Sequence, residues 1–205
     1  MTAIIDYGVG NLYSLCSSFA FIGEEVTVTN DPEQIKNADR LVLPGVGAFE
    51  DAANKLFASG LVDIIKEQVA NGKPLLGICL GMQLLFEKSY EFGEHKGLGL
   101  LKGSIRPIAD VIDAGLKIPH IGWNGLHFPS DRPRHPLFAD LCENDCVYFV
   151  HSYYATDCAD SVTATTEYSA ELTAAAAINN CCGVQFHPEK SGEVGMKILK
   201  AFCKM

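Results

Sequence analysis

The sequence predicts an α/β fold: an open, mostly parallel central sheet with helices on both faces, and additional antiparallel strands in the second half. Three observations carry this expectation. In the first half, short apolar runs alternate with stretches of helical period, the rhythm of β-α-β units. In the second half, short strand-like segments follow one another with only turns between them. And no linker-like segment divides the 205 residues, so one core spans 1–205.

Ala3-Ile4-Ile5 is the first apolar run, closed by Asp6-Tyr7-Gly8-Val9-Gly10. Residues 11–22 carry apolar side chains at helical spacing, and residues 25–29 alternate like a strand. Leu41-Val42-Leu43 is a second buried-type strand, ended by Pro44-Gly45. Residues 52–69 are helical in pattern, with a break at Ser59-Gly60, and Pro74-Leu75-Leu76-Gly77-Ile78 returns to strand. Beyond the helical run 82–86, strands are expected over 104–108, 122–128, 145–150, 161–166, 172–178 and 181–186, and a closing helix over 195–203.

Composition excludes several classes. A formal net charge of −9 with no basic cluster argues against a nucleic-acid binder, which must neutralise phosphates. The start, Met1-Thr2-Ala3-Ile4-Ile5-Asp6, lacks the basic and long apolar stretches of a signal peptide, and no apolar run is long enough to span a bilayer. A cytoplasmic protein without membrane contact is expected. The eight cysteines are then expected to be free thiols, and their spacing matches no familiar zinc site. Gly8-Val9-Gly10 lacks the third glycine of a dinucleotide fingerprint, Tyr13 standing in its place, and there is no Walker-type loop. Neither cofactor nor metal is expected.

One cysteine stands apart. Gly77-Ile78-Cys79-Leu80-Gly81 follows an apolar strand and precedes a helical run. Flanking glycines permit the sharp strand-to-helix turn of a nucleophile elbow, here with Cys in place of Ser. At a helix N-terminus a thiolate gains from unpaired N–H groups and the positive dipole end. The Leu80 N–H, just after the nucleophile, can stabilise an oxyanion. A thiolate nucleophile needs a proton shuttle, and His187-Pro188-Glu189 at the end of the last apolar strand offers one. Pro188 biases His187 to extended backbone, in which His187 and Glu189 are expected to project to the same side. The Pro44-Gly45-Val46-Gly47 loop, at another strand end, lets backbone approach a ligand and can supply a second oxyanion N–H from Val46 or Gly47.

Together these residues resemble the class I (triad) glutamine amidotransferases, whose pattern is a Gly-x-Cys-x-Gly elbow with a distant His-Pro-Glu. Residues 6–12, 43–49, 77–86, 119–124, 148–153 and 187–191 are further similar to the family's glutaminase subunits that serve a cyclase of histidine biosynthesis. The likeness covers essentially the whole chain. It implies that Cys79 attacks the side-chain amide of L-glutamine, that His187 protonates the departing ammonia, and that Glu189 orients His187. A γ-glutamyl thioester on Cys79 is then hydrolysed. It implies substrate contacts from Gln83, His151, Ser152 and Tyr153. It also implies a (β/α)8-barrel cyclase partner, forming a heterodimer and receiving ammonia through an enclosed channel. Asn11, Trp123 and Lys190 lie beside three strand-end motifs and are expected to form the docking rim. Two other readings stay open on sequence: a glutaminase serving another synthase, such as a surface-polysaccharide amidotransferase, and a cysteine amidohydrolase acting alone.

Overall fold

The computed structural model describes residues 1–205. The chain runs β1 (Thr2–Ile5), α1 (Leu12–Phe21), β2 (Val26–Thr29), α2 (Pro32–Asn37), β3 (Arg40–Leu43), α3 (Phe49–Ala58), α4 (Val62–Ala70), β4 (Leu75–Ile78) and α5 (Leu80–Leu85). It continues through β5 (Phe86–Ser89), β6 (His95–Lys96), β7 (Leu101–Pro107), β8 (His120–Gly125), β9 (Cys146–His151), β10 (Tyr153–Thr156), β11 (Val162–Glu167), β12 (Glu171–Ile178), β13 (Cys181–Val184) and α6 (Gly192–Cys203).

Seven strands form the central sheet in the order β11-β12-β13-β4-β3-β1-β2. β2, β1, β3, β4 and β13 are parallel, and β12 and β11 extend the sheet antiparallel. The alternation of the short apolar strands explains the two layers. Ala3, Ile5, Leu41 and Leu43 point into the core under α2, α3 and α4, while Ile4, Val42, Leu76 and Ile78 point into the core under α1 and α6. β1 has β2 on one side and β3 on the other, so the winding reverses there. The C-terminal ends of β3, β4 and β13, next to that reversal, border a crevice at the edge where α/β sheets hold ligands.

Two smaller sheets frame that crevice: β10-β7-β5-β6, and the antiparallel pair β8-β9. No helix is long and apolar enough to cross a membrane.

The structure departs from the sequence expectations in places. α2 has six residues, too few for a period to show; it starts because Asp31 accepts from the Glu33 N–H and Pro32 occupies the first turn. Phe86 leaves the helix to open β5, and β5, β6 and β10 were not expected at all. β7 begins at Leu101, ahead of the expected 104. β8 is His120–Gly125 and stops short of 128; His127 joins Thr165 only through an isolated bridge.

Candidate active site

Cys79 sits between β4 and α5 with φ 54° and ψ −112°, a left-handed conformation that a non-glycine residue adopts only when its surroundings force it. Here they do. The Cys79 N–H donates to the Val184 carbonyl of β13 at 2.8 Å, and the Cys79 carbonyl accepts from Gln83 N–H at 3.2 Å. Gly81 presses on β3 so closely that a Cβ there would lie 1.9 Å from the Leu43 carbonyl oxygen. Only glycine allows the elbow this approach. Leu80, first residue of α5, has no intrahelical acceptor for its N–H, which leaves that donor beside the thiol.

His187 is almost fully buried, and its Nδ1 lies 2.7 Å from Glu189 Oε1. A carboxylate accepts only, so Nδ1 carries the proton and Nε2 is left for the Cys79 sulfur. Burial works against an imidazolium, but hydrogen bonds to Cys79 and Glu189 and their charges outweigh it, lifting His187 from 6.5 to about 9. His187 is therefore held as the imidazolium beside the Cys79 sulfur. The expectation that His187 and Glu189 project together as neighbours on extended chain is corrected. His187 is extended, but Pro188–Lys190 is a turn of 3-10 helix, because proline is already set for a first helical turn. The turn, not strand alternation, folds Glu189 back onto the imidazole.

Around Cys79 lies a cavity of about 240 Å3, lined by Val46, Gly47, Leu80, Gln83, Glu91, Pro119, Val150, His151, Ser152, Tyr153 and His187. The structure thus brings the expected catalytic, oxyanion and substrate residues to one place. Gly47 has φ +97° and Val46 is 43% exposed, so the loop is open to the cavity. Tyr7, unnoticed in the sequence, tethers it: its buried hydroxyl donates to the Pro44 carbonyl at 2.7 Å. A groove of about 750 Å3 between α1 and α6 touches the back of Glu189 but includes neither Cys79 nor His187.

Two expected substrate contacts change character. His151 Nδ1 donates to the Tyr153 carbonyl at 2.9 Å, and its Nε2 faces His120 Nδ1 at 3.0 Å. Burial, with the positive field of its neighbours, pushes His151 down to about 4 despite the Tyr153 hydrogen bond, so it is neutral with both nitrogens occupied. It shapes the cavity wall and has no free nitrogen for a ligand. Gln83 likewise commits its amide nitrogen to Gln185 Oε1 at 2.9 Å and to the Tyr153 carbonyl at 3.3 Å, leaving only Oε1 for a substrate.

Glu91 is a further residue the sequence reading missed. It is the one carboxylate lining this cavity, and one oxygen accepts from the Phe49 N–H at 2.6 Å. It comes from the loop between β5 and β6, two elements that carried no sequence signal. No group of three or more His, Cys, Asp or Glu side chains is placed to hold a metal ion, and all eight cysteines are free.

The three rim residues are exposed. Trp123, 54% exposed, packs edge-on to Tyr148 at 6.0 Å, and Lys190 Nζ stands 5.9 Å from the same ring. Asn11 also caps α1, its side chain accepting from the Ser14 N–H at 3.3 Å.

The model of the family described as glutamine amidotransferase class-I matches residues 3–205. Imidazole glycerol phosphate synthase subunit HisH of Lactococcus lactis subsp. lactis (strain IL1403) is 50% identical, with 98% of this chain and 96% of that protein covered. The subunit of the same name from Aquifex aeolicus (strain VF5) is 48% identical, over 98% of this chain and 95% of that one. Among solved structures, PurLQS from Thermotoga maritima superposes with a TM-score of 0.76 at 19% identity, covering 99% of this chain and 97% of that one. A crystal structure of a glutamine amidotransferase gives 0.75 at 16% identity, covering 98% and 97%. At those identities the solved structures speak to the fold, and they share it across the whole chain. With the family match running nearly end to end and relatives half identical over their full length, the chain belongs to the class-I glutamine amidotransferases.

Proposed function

We propose that this chain is the glutaminase subunit of an imidazole glycerol phosphate synthase. It hydrolyses L-glutamine to L-glutamate and ammonia, and it delivers the ammonia to a (β/α)8-barrel cyclase that makes imidazole glycerol phosphate and an aminoimidazole carboxamide ribonucleotide. The observation that carries this reading is the alignment of Cys79, His187 and Glu189 in a cavity roomy enough for one amino acid. The Cys79 thiolate attacks the side-chain carbonyl of glutamine. The resulting oxyanion is met by the Leu80 N–H and by the loop at Val46 and Gly47. His187 gives its Nε2 proton to the departing nitrogen, and water then attacks the thioester, with His187 taking the proton back. Gln83 Oε1 and the Glu91 carboxylate are the acceptors that suit the substrate ammonium group, and Ser152 and Tyr153 complete the wall.

The acid in this scheme is the His187 imidazolium, which exists below its pKa and is lost above it. Glutamine turnover is therefore expected to fall as pH rises through about 9. A pH–rate profile that stays flat beyond that value assigns the proton donor elsewhere.

The mouth of the cavity suits a partner. On the β8-β9 pair, Trp123 faces Tyr148 and Ile121 faces Val150 across the ladder. Ile121 and Trp123 are 58% and 54% exposed, while Val150 lines the cavity. An apolar face thus leads directly to the nucleophile, with Lys190 at its edge, the composition of an interface hot spot. Trp123→Ala and Lys190→Ala are expected to weaken cyclase binding, or to raise the ratio of glutamate to final product, with each chain still folded. Calorimetry and product stoichiometry check this. The same preparation tests the function: the chain alone is expected to be slow, and ligand-bound cyclase to accelerate it by about 10²–10³, the usual worth of one oxyanion donor. Equal turnover with and without the cyclase would favour an amidohydrolase acting alone.

A further inference from the structure

We infer that Gln185 is a hydrogen-bond donor to the nucleophile sulfur, oriented through Gln83 by the backbone carbonyl of Tyr153. This rests on Cys79 being the nucleophile, and it adds a residue that composition and motif left unassigned.

Gln185 Nε2 lies 3.7 Å from Cys79 Sγ, and Gln185 is fully buried just after β13. A glutamine amide can in general be turned over, exchanging its oxygen and nitrogen. Here a chain of obligate partners removes that freedom. The Tyr153 carbonyl can only accept, so the Gln83 atom 3.3 Å from it is the NH2 group. That nitrogen also lies 2.9 Å from the amide of Gln185, which must therefore turn its oxygen toward Gln83. The group left facing Cys79 is the NH2 of Gln185. Reversing it would set two donors against each other in a dry site, where Gln83 is only 5% and Gln185 0% exposed.

An N–H aimed at sulfur favours the thiolate over the thiol, since hydrogen bonds to the charged form are the stronger ones. It also holds the sulfur in place. Sγ is flanked by Gln185, by His187 and, at 4.0 Å, by the Val150 carbonyl. The Tyr153 carbonyl that sets this chain also receives His151 Nδ1, so the cavity wall and the nucleophile share one anchor on β10.

The test is the rate at which iodoacetamide alkylates Cys79 in the purified chain, followed by peptide mapping at neutral and at alkaline pH. It needs no glutamine turnover, so it can fail independently of the proposed activity, which Cys79→Ser tests. Gln185→Met keeps the length of the side chain and removes the donor. It is expected to slow alkylation about 10-fold at neutral pH, the lower end for a hydrogen bond to a charged group, and to approach the parent rate at alkaline pH, where forming the thiolate no longer depends on that donor. Gln83→Met frees the Gln185 amide to turn and is expected to slow neutral-pH alkylation by a smaller factor. The double variant is expected to be no slower than Gln185→Met alone, because both changes remove one interaction. Parent-like alkylation of Gln185→Met at neutral pH overturns the inference. So does slowing that is equal at both pH values, which would mark altered access, and so do losses that multiply in the double variant. If Gln185→Met does not fold, parent-like alkylation of Gln83→Met overturns it alone.

Discussion

Cys79→Ser is expected to lower glutamine hydrolysis by more than about 10⁴-fold, while synthesis of the final product from added ammonium salts in the complex with the cyclase continues at the parent rate. The elbow forces this outcome. The backbone of residue 79 is held at φ 54° by the Val184 and Gln83 hydrogen bonds, so a serine occupies the same place. Its hydroxyl is far less acidic than a thiol and is a much weaker nucleophile beside the same imidazole. None of the other cysteines can substitute. Burial pushes Cys182 up to about 12 and, with the Glu24 charge adding, Cys203 up to about 11, and both stay neutral. Cys142 and Cys146 are exposed and lie outside the cavity that Cys79 shares with His187. A glutamine-like electrophile should accordingly label Cys79 before the other seven. Label at Cys146 or Cys182, or glutaminase activity in Cys79→Ser within tenfold of the parent, would remove Cys79 from the mechanism.

The parallel half of the fold was readable because its strands inside the edge strand β2 are buried on both faces. Ala3-Ile4-Ile5 and Leu41-Val42-Leu43 show as unbroken apolar runs, and glycine or proline follows each within three residues, where the sheet opens onto the site. The elbow was readable for a related reason: Gly77 and Gly81 are required by contacts of 2.7 Å and 1.9 Å that any Cβ would make, so the sterics are written as residue identity. What stayed hidden is structure made of short or half-exposed elements. β6 is a two-residue strand, and β5 begins where a helix-like apolar run ends, so the loop between them, and Glu91 with it, had no visible place.

Gln185 illustrates a second limit. It is a polar residue inside the expected strand 181–186, two positions before His187. That spacing was the available signal, since residues two apart on extended chain share a face. Its meaning needed the partner across the sheet, which only the parallel pairing of β13 with β4 supplies. The error at His187 and Glu189 has the same origin. Extended chain and a 3-10 turn both bring a residue two positions on within reach, and the local sequence does not tell them apart.

The turn makes Glu189 the second most sensitive position. Glu189→Gln is expected to lower glutamine turnover in the complex by about 10³–10⁴, with ammonium-dependent synthesis intact. The glutamate places Oε1 2.7 Å from His187 Nδ1 in a site where the two side chains are 2% and 3% exposed. Its charge, after the contribution of Cys79, helps hold the imidazolium up near 9 against burial. A glutamine of the same shape removes that charge, so the imidazolium, the acid of the reaction, is held less firmly. The amide can also present its NH2 to Nδ1, which moves the ring proton to Nε2 and leaves no acceptor for the Cys79 thiol. The orphaned Glu189 Oε2, which has no protein donor, offers an amide nitrogen no competing partner to prevent that turn. Two measurements separate this account from simple misfolding. The alkaline limb of the residual activity should move below that of the parent, and neutral-pH alkylation of Cys79 should slow. A variant whose turnover stays within tenfold of the parent, with the limb unmoved, would mean that Glu189 only packs against the imidazole.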